Sequence, residues 1–385
     1  MRLTQRGTGL LVSCAALLCA GFAFGYPGLT VLGTAGLCAT GFAFGYAAWR
    51  PRLTVTRQAD PDRVMRGEPS RVTLTVHNSS RWQPATLIAY DRCGPTTVPV
   101  PLVRLRPGSD SVVEYQVPTS RRGVVEIGPL RVVRTDPLGL VTMARSHGES
   151  TLVWVYPRVH PLAAVPVGVV RSLDGRIDRV PHGTITFDTL REYVVGDELR
   201  HVHWRTTARI GQLMVREHVD TSLPRLVILL DDRAGSYPRP DDFEFACEAA
   251  ASLVVAAARE ELPLALVLVN GGPTIGGGRP VSTRPYLDAL AEAEPRDGTG
   301  ATLERAAARL RQRRLGDTLV YLTGAGASGD LGEIGGLRGG YPTIVVGALG
   351  GTGTEPVPST VEGLLVLAAS DGAEFAVEWD GVRTW

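Results

Sequence analysis

Between Arg191 and His218 the chain reads REYVVGDELRHVHWRTTARIGQLMVREH, which gathers five Arg, three His, a Trp and two pairs of acidic residues. Residue types of this kind could do several kinds of chemistry. Adjacent Asp197 and Glu198 could act as acid and base. His203 with His218 could bind a metal ion with Asp197 nearby, as in a metal-assisted hydrolase. The Arg residues could face phosphate, although Arg191, Arg200, Arg205, Arg209 and Arg216 are offset by Asp188, Glu192, Asp197, Glu198, Glu217 and Asp220. That balance argues against a nucleic-acid surface and for internal pairing. No Ser/His/Asp or Cys/His order stands out as a partnered nucleophile.

Geometry narrows the choice. Gly196-Asp197 reads as a helix start with Asp197 as N-cap, and Gly211 as its stop. LMVREHV then alternates as a strand. On such a helix His201 and His203 point roughly 200° apart and cannot share one ion. Asp197 and Glu198 there serve capping and the helix dipole. The segment is thus expected to be a charge-paired structural joint, with Trp204 covering a guanidinium or filling the joint.

Downstream, RLVILLD is a continuous apolar run ending in Asp231, as expected of a strand buried on both faces. Helical DDFEFACEAAASLVVAAARE, strand LPLALVLV, helical YLDALAEA and ATLERAAARLRQRR, then strands TLVYLT and TIVVGAL follow. This alternation predicts a doubly wound, mostly parallel α/β sheet, whose ligands bind at the carboxyl ends of the strands. Asp231 and Arg233 are the candidate ligand edge. The Gly-rich runs GGPTIGGG and GAGASGDLGEIGG fit neither a Walker loop nor a dinucleotide fingerprint and are expected to be loops. With no Lys in the chain, a Walker Lys is impossible.

Residues 53–160 follow a different rule. RVTLTVHN places Val72, Leu74 and Val76 on one face, and SVVEYQV, GVVEIGPLRVV and TLVWVY continue the alternation between turn clusters. Seven or eight short strands without helical period predict an antiparallel sandwich of immunoglobulin-like type. A Gly/Arg/Asp-rich linker is expected at 161–186, with the signature segment and α/β domain at 187–385.

Residues 1–50 are apolar. The uncharged stretches 8–26 and 29–49 each approach the roughly 20 residues that cross a bilayer core, and GFAFGY occurs in both. They predict a retained helical hairpin. Arg2 and Arg6 precede it and Arg50, Arg52 and Arg57 follow it, so both ends and the soluble parts are expected on the cytoplasmic side of the cell membrane. Net charge is +1 and all 40 basic residues are Arg, so Arg richness is compositional bias rather than a sign of polyanion binding. Five scattered Cys without a CxxC suggest neither a disulfide framework nor a zinc site. The fold class is therefore α+β multidomain: transmembrane hairpin, β-sandwich, and C-terminal α/β domain.

Two resemblances sharpen this picture. An Asp at the end of the first α/β strand resembles the start of a von Willebrand factor type A domain, whose adhesion site Asp-x-Ser-x-Ser holds a divalent cation. Here Arg233 and Gly235 stand at the hydroxyl positions, Ser236 is one residue out of register, and Thr323 ends the later strand where a carboxylate is wanted. A guanidinium at a ligand position repels a cation, so Asp231 is expected to cap its loop or pair with Arg233, with no metal and no cofactor. The signature around Tyr193, Gly196, Asp197, Arg200, Trp204, Arg205, Ala208 and Arg209 is similar to that of the domain-of-unknown-function 58 family. RRGVVEIGPLRVVRTDPLGL also looks like that family's GPL…DPfGL segment, with Leu138 where Phe is common. The resemblance implies a membrane-anchored protein with a von Willebrand A-like domain. It is frequently encoded beside a MoxR-type AAA+ ATPase and a transglutaminase-like membrane protein. An adaptor or scaffold for such an ATPase in envelope complex assembly is the expected function.

Overall fold

The computed structural model describes residues 2–48, 53–80, 88–100, 105–166, 170–171, 177–178, 188–192, 203–218, 226–277, 282–313, 316–351 and 364–382. They fall into two compact units, Met1–Tyr156 and Pro157–Trp385.

In the first unit, strand β1 (Arg2–Leu3) leads into the apolar helices α1 (Gln5–Phe24) and α2 (Pro27–Ala48). Thr4 caps α1, its hydroxyl accepting from the Gly7 amide at 3.1 Å, and Gly25 ends it at φ 66°. Both helices are long and apolar enough to cross a membrane. They begin two or three residues earlier than the apolar runs suggest. Gly21, Gly33 and Gly36 lie where added methyls would strike Thr30, Leu18 and Cys14, so small residues set the close approach of the pair.

Ten strands follow: β2 (Leu53–Asp60), β3 (Arg63–Met65), β4 (Arg71–Asn78), β5 (Ile88–Cys93), β6 (Thr96–Val100), β7 (Asp110–Gln116), β8 (Gly123–Ile127), β9 (Leu130–Thr135), β10 (Val141–His147) and β11 (Thr151–Tyr156). Strands β2, β4 and β7 form a three-stranded antiparallel sheet. The others, with β1, form an eight-stranded sheet, antiparallel except for the β11–β3 pair. The alternation in β4 holds: Val72, Leu74 and Val76 are buried. Leu74 and Val76 share a core with Ala89, Val100, Leu130 and Val132 of the other sheet.

Residues 157–166 belong to the second unit, although their composition suggests sandwich and linker. Leu162 and Val165 are buried, Trp379 Nε1 donates to the Ala164 carbonyl at 2.8 Å, and His160 Nε2 lies 3.0 Å from Glu248 Oε2. Short antiparallel pairs follow, β12 (Val170–Arg171) with β13 (Ile177–Asp178) and β14 (Asp188–Glu192) with β15 (Met214–His218). Between the last two lies helix α3 (Trp204–Ile210).

The main sheet has order β18-β17-β16-β19-β20-β21, from β16 (Leu226–Leu230), β17 (Leu264–Leu268), β18 (Ile275–Gly276), β19 (Thr318–Gly324), β20 (Thr343–Leu349) and β21 (Leu365–Ala369). Five strands are parallel and the edge strand β18 is antiparallel. Helices α4 (Asp242–Arg259), α5 (Arg284–Glu292), α6 (Gly300–Gln312), α7 (Leu331–Gly335) and α8 (Gly372–Gly381) complete the unit. One face packs Val227, Leu229, Leu319 and Val346 against Leu303, Leu310, Ile334 and Leu337 of α6, α7 and the turn after it. On the other, α4 runs with α5 and α8 across the strands.

The two Gly-rich runs are not simply loops. The first contains β18, because Gly276 at φ 82° lies against the Leu264 carbonyl and the Tyr286 hydroxyl, where no side chain fits. The second forms a 3₁₀ turn at Ala325–Asp330 that leads into α7.

Candidate site at the carboxyl edge of the sheet

Strand β16 is apolar and fully buried until it ends, so the polar residue that follows emerges at the sheet's carboxyl edge with little water around it. Asp231 and Arg233 stand there, 0% and 4% exposed. The two groups meet as a fork: Arg233 Nε donates to Asp231 Oδ1 at 2.8 Å and Nη2 donates to Oδ2 at 2.7 Å. Planar, doubly bonded pairing of this kind suits Arg far better than Lys. The Arg233 amide also donates to Oδ1 at 3.1 Å, closing a local turn.

Three hydroxyls converge on Asp231 Oδ2: Ser236 at 2.7 Å, Tyr321 at 2.9 Å and Thr323 at 2.7 Å. Tyr321 and Thr323 are two residues apart on β19 and so point to one face, and β19 is the direct neighbour of β16. Arg233 Nη2 reaches on to Asp330 Oδ2 at 2.7 Å and the Tyr321 hydroxyl at 3.1 Å, while Nη1 donates to the Thr299 carbonyl at 3.4 Å. The Tyr237 hydroxyl donates to the Asp231 carbonyl. On the flank, Asp232 Oδ1 accepts from the Asn270 amide at 2.7 Å, and the Arg296 amide donates to the Asp232 carbonyl at 2.7 Å. Gly324 permits the closure, since a Cβ there would come within 2.2 Å of the Ser236 carbonyl.

Burial alone would raise the Asp231 carboxyl. The Arg233 guanidinium with the Ser236 and Thr323 hydroxyls outweighs it and holds the group below the ordinary carboxylate range. For Asp232 burial prevails over the Asn270 amide bond and the pKa rises. Burial and the neighbouring Asp231 push Tyr237 and Tyr321 well above the usual phenol value, so both stay neutral donors.

Two carboxylates and three hydroxyls are hard oxygen donors of the sort that surround a divalent cation. Here the guanidinium occupies their centre. The expected pairing of Asp231 with Arg233 is what forms. The structure adds Ser236, which reaches the carboxylate despite its shifted register, and Asp330, which supplies the second carboxylate from the 3₁₀ turn rather than from the end of β19. Asp330 was not legible, nor were Tyr237 and Tyr321; the one available signal was polar residues closing the apolar strands β16 and β19. Among the described residues no group of three or more His, Cys, Asp or Glu could hold a metal ion.

The signature segment is only partly visible. Tyr193, Gly196, Asp197, Glu198, Arg200 and His201 lie outside the described residues. Helix α3 begins at Trp204, not at residue 198, and its N-cap is His203: Nδ1 accepts from the Thr206 amide at 3.2 Å and lies 2.7 Å from its hydroxyl. Gly211 ends the helix at φ 83°, as expected. The His203 amide donates to the Met214 carbonyl at 2.7 Å and the Met214 amide to the Thr207 hydroxyl at 3.0 Å, which fastens α3 to β15. His218 lies on β15 opposite Asp188. Trp204 is 65% exposed, and Arg205, Ala208 and Arg209 are exposed too, so α3 forms surface instead of filling a buried joint. Replacing His203 by Ala is expected to remove the cap and cost about 1 kcal/mol of local stability. Faster hydrogen exchange at Thr206 and Thr207 would register it, with the metal content of the purified protein unchanged.

Residues 189–324 match a family model described as "Protein of unknown function DUF58". No curated protein matches the chain. Among solved structures, the CARDB domain of a Pyrococcus furiosus protein in complex with di-metal ions is similar at 16% identity and a TM-score of 0.21, covering 27% of this chain and 93% of that one. A mutant β-glucosidase from Listeria innocua in complex with laminaribiose is similar at 15% identity and a TM-score of 0.16. The likeness covers 27% of this chain and 16% of the glucosidase.

Proposed function

We propose that this chain is a membrane-anchored adaptor or scaffold whose soluble units face the cytoplasm. It works with a AAA+ ATPase of MoxR type, with a transglutaminase-like membrane protein as a further partner, in assembling envelope complexes. The partners come from the resemblance of the signature segment, and the matching of residues 189–324 to the DUF58 model supports it. In this reading the β-strands of the first unit are an immunoglobulin-like sandwich and the second unit is a von Willebrand A-like domain.

One observation carries the proposal: the carboxyl edge of the parallel sheet, where such folds place their ligand, is closed by the chain's own Arg233. Asp231, Ser236, Tyr321, Thr323 and Asp330 all spend their hydrogen bonds within this network. A site so satisfied presents a fixed surface to a partner rather than a reactive group to a substrate. Arg2 before α1, Arg6 in its first turn, and Arg50 and Arg52 after α2 support the cytoplasmic side. Arg57 drops out of that count because it is buried against Asp91. The alternative, a metal-assisted hydrolase built on His203, His218 and Asp197, gains no support from the described residues, since His203 Nδ1 is engaged as a helix cap.

Full-length protein solubilised from its own membranes is expected to bring down a AAA+ ATPase in a nucleotide-dependent way. Purification without any ATPase, with and without ATP, would remove the main support of the adaptor reading.

A further inference from the structure

The tight turn between β9 and β10, Asp136 to Leu140, stands at the base of the apolar hairpin. From its position we infer that it is a lipid-contacting foot, with Leu138 seated at the boundary between headgroups and acyl chains. The inference rests on the reading of α1 and α2 as membrane helices.

The depth of the turn follows from contacts. Gly36 against Cys14, Gly33 against Leu18 and Gly21 against Thr30 fix the antiparallel register of the helices, which brings Thr4 level with the end of α2 near Ala47. Tyr26 sits at the hairpin's tip just before α2 and Tyr46 near its base on α2, twenty residues apart in sequence. At about 1.5 Å per residue that is about 30 Å, the thickness of a bilayer's hydrocarbon core. Tyr is favoured at both membrane interfaces, so Tyr46 marks the level at which the chain leaves the lipid.

The β9–β10 hairpin runs tip-first toward that level. Arg145 Nη2 donates to the Ala48 carbonyl at 3.4 Å, and the Arg134 guanidinium, one strand over, lies 4.4 Å from the centre of the Tyr46 ring. Leu140 and Val141 then pack with Ala43, Ala47 and Leu10. Last comes the turn itself: the Thr4 hydroxyl donates to the Gly139 carbonyl at 2.6 Å and the Thr4 amide to the Leu140 carbonyl at 3.0 Å. The tip is therefore level with the first turn of α1.

Its chemistry suits that depth. Asp136, 3% exposed, accepts from the Leu138 amide at 2.9 Å and the Val141 amide at 2.6 Å, so the turn's polar groups are satisfied before it meets lipid. Leu138 is left 51% exposed. A single exposed Leu means little in water. This one is held by a rigid turn beside a membrane helix, and the strand after it pairs with Arg2, whose charge favours anionic headgroups.

The test places one Trp at a time in the full-length protein, reconstituted in vesicles of zwitterionic and anionic phospholipid brominated near the headgroup end of the acyl chains. Leu138→Trp reports the turn, and Phe22→Trp, 79% exposed on α1, reports the hairpin. Leu138 is half exposed, so the larger ring has room. Bromolipid is expected to quench most of the emission that Leu138→Trp adds over the parent protein, while iodide in the aqueous phase leaves it. If Phe22→Trp is quenched while Leu138→Trp stays open to iodide, the foot is overturned and the membrane helices stand. If neither is quenched, the membrane reading falls and takes the foot with it.

Discussion

Replacing Arg233 by Met is expected to destabilise the α/β unit by about 3–5 kcal/mol, because it strands the Asp231 carboxylate in a site with no water to take over. Amide exchange in β16 and β19, followed in denaturant on the full-length chain, isolates that unit from the rest. The pH dependence should also change sign. In the parent, Asp231 has a folded pKa below its unfolded one, so its contribution is complete above the ordinary Asp value of about 3.9 and is lost as pH falls through the depressed folded value. Without Arg233, burial is opposed by hydroxyls alone and the folded pKa moves above the unfolded one. The variant then gains stability on acidification over the range just above pH ~4, beyond the slope that Asp232 gives both proteins, whereas Asp231 adds none there in the parent.

Arg233→Ser asks a sharper question of the same site. Removing the guanidinium leaves Asp231, Asp330, Ser236 and Thr323 around an oxygen-lined gap that fits a hard divalent cation. Magnesium should stabilise this variant against unfolding, and not the parent, by about 2.7 kcal/mol at roughly 100 times Kd. A variant indifferent to magnesium, manganese and calcium would mean that the guanidinium is only an ion-pair partner and does not stand in for a metal.

What the sequence discloses of this site, and what it hides, divides along one physical line. Patterns that repeat along the chain were legible: the alternation in β4, the continuous apolar run of β16, the long helix α4. So was the Asp231–Arg233 pair, whose members are two residues apart. Asp330 and Tyr321 were not, since they lie 97 and 88 residues from Arg233 and meet it only because β19 is laid directly against β16. Nothing local marks such a neighbour. The start of α3 failed for a different reason: Gly-Asp is a strong cap signal, whereas His at an N-cap is a weak one. Strand β18 was hidden by its own glycines, which read as loop until Tyr286 and the Leu264 carbonyl are seen to fill the space a side chain would need.

In the first unit, Asp91→Ala is expected to cost a similar 3–5 kcal/mol. Asp91 on β5 is 0% exposed and holds Arg57 of β2 in a fork, Nε to Oδ2 at 3.0 Å and Nη2 to Oδ1 at 2.8 Å, while the Tyr115 hydroxyl of β7 donates to Oδ2 at 2.6 Å. The carboxylate thus ties both outer strands of the three-stranded sheet to the eight-stranded one. Gly128 and Gly148, both at positive φ, lie close over the guanidinium, where a Cβ would come within 2.8 and 3.0 Å of it. Exchanging both partners for apolar residues, Arg57→Met with Asp91→Leu, should recover much of the loss, because the penalty lies in the stranded charge and not in the missing bond. A second readout follows the phenol: burial and then the Asp91 bond raise Tyr115, so Asp91→Ala should lower its ionisation midpoint in an alkaline absorbance titration. The consequence reaches the apolar hairpin, since β2 is the first strand after α2 and β5 pairs with β9, which leads into the Asp136–Leu140 turn. If the double replacement is as unstable as Asp91→Ala, the carboxylate's role is packing rather than charge, and the two sheets are held together by their apolar faces alone.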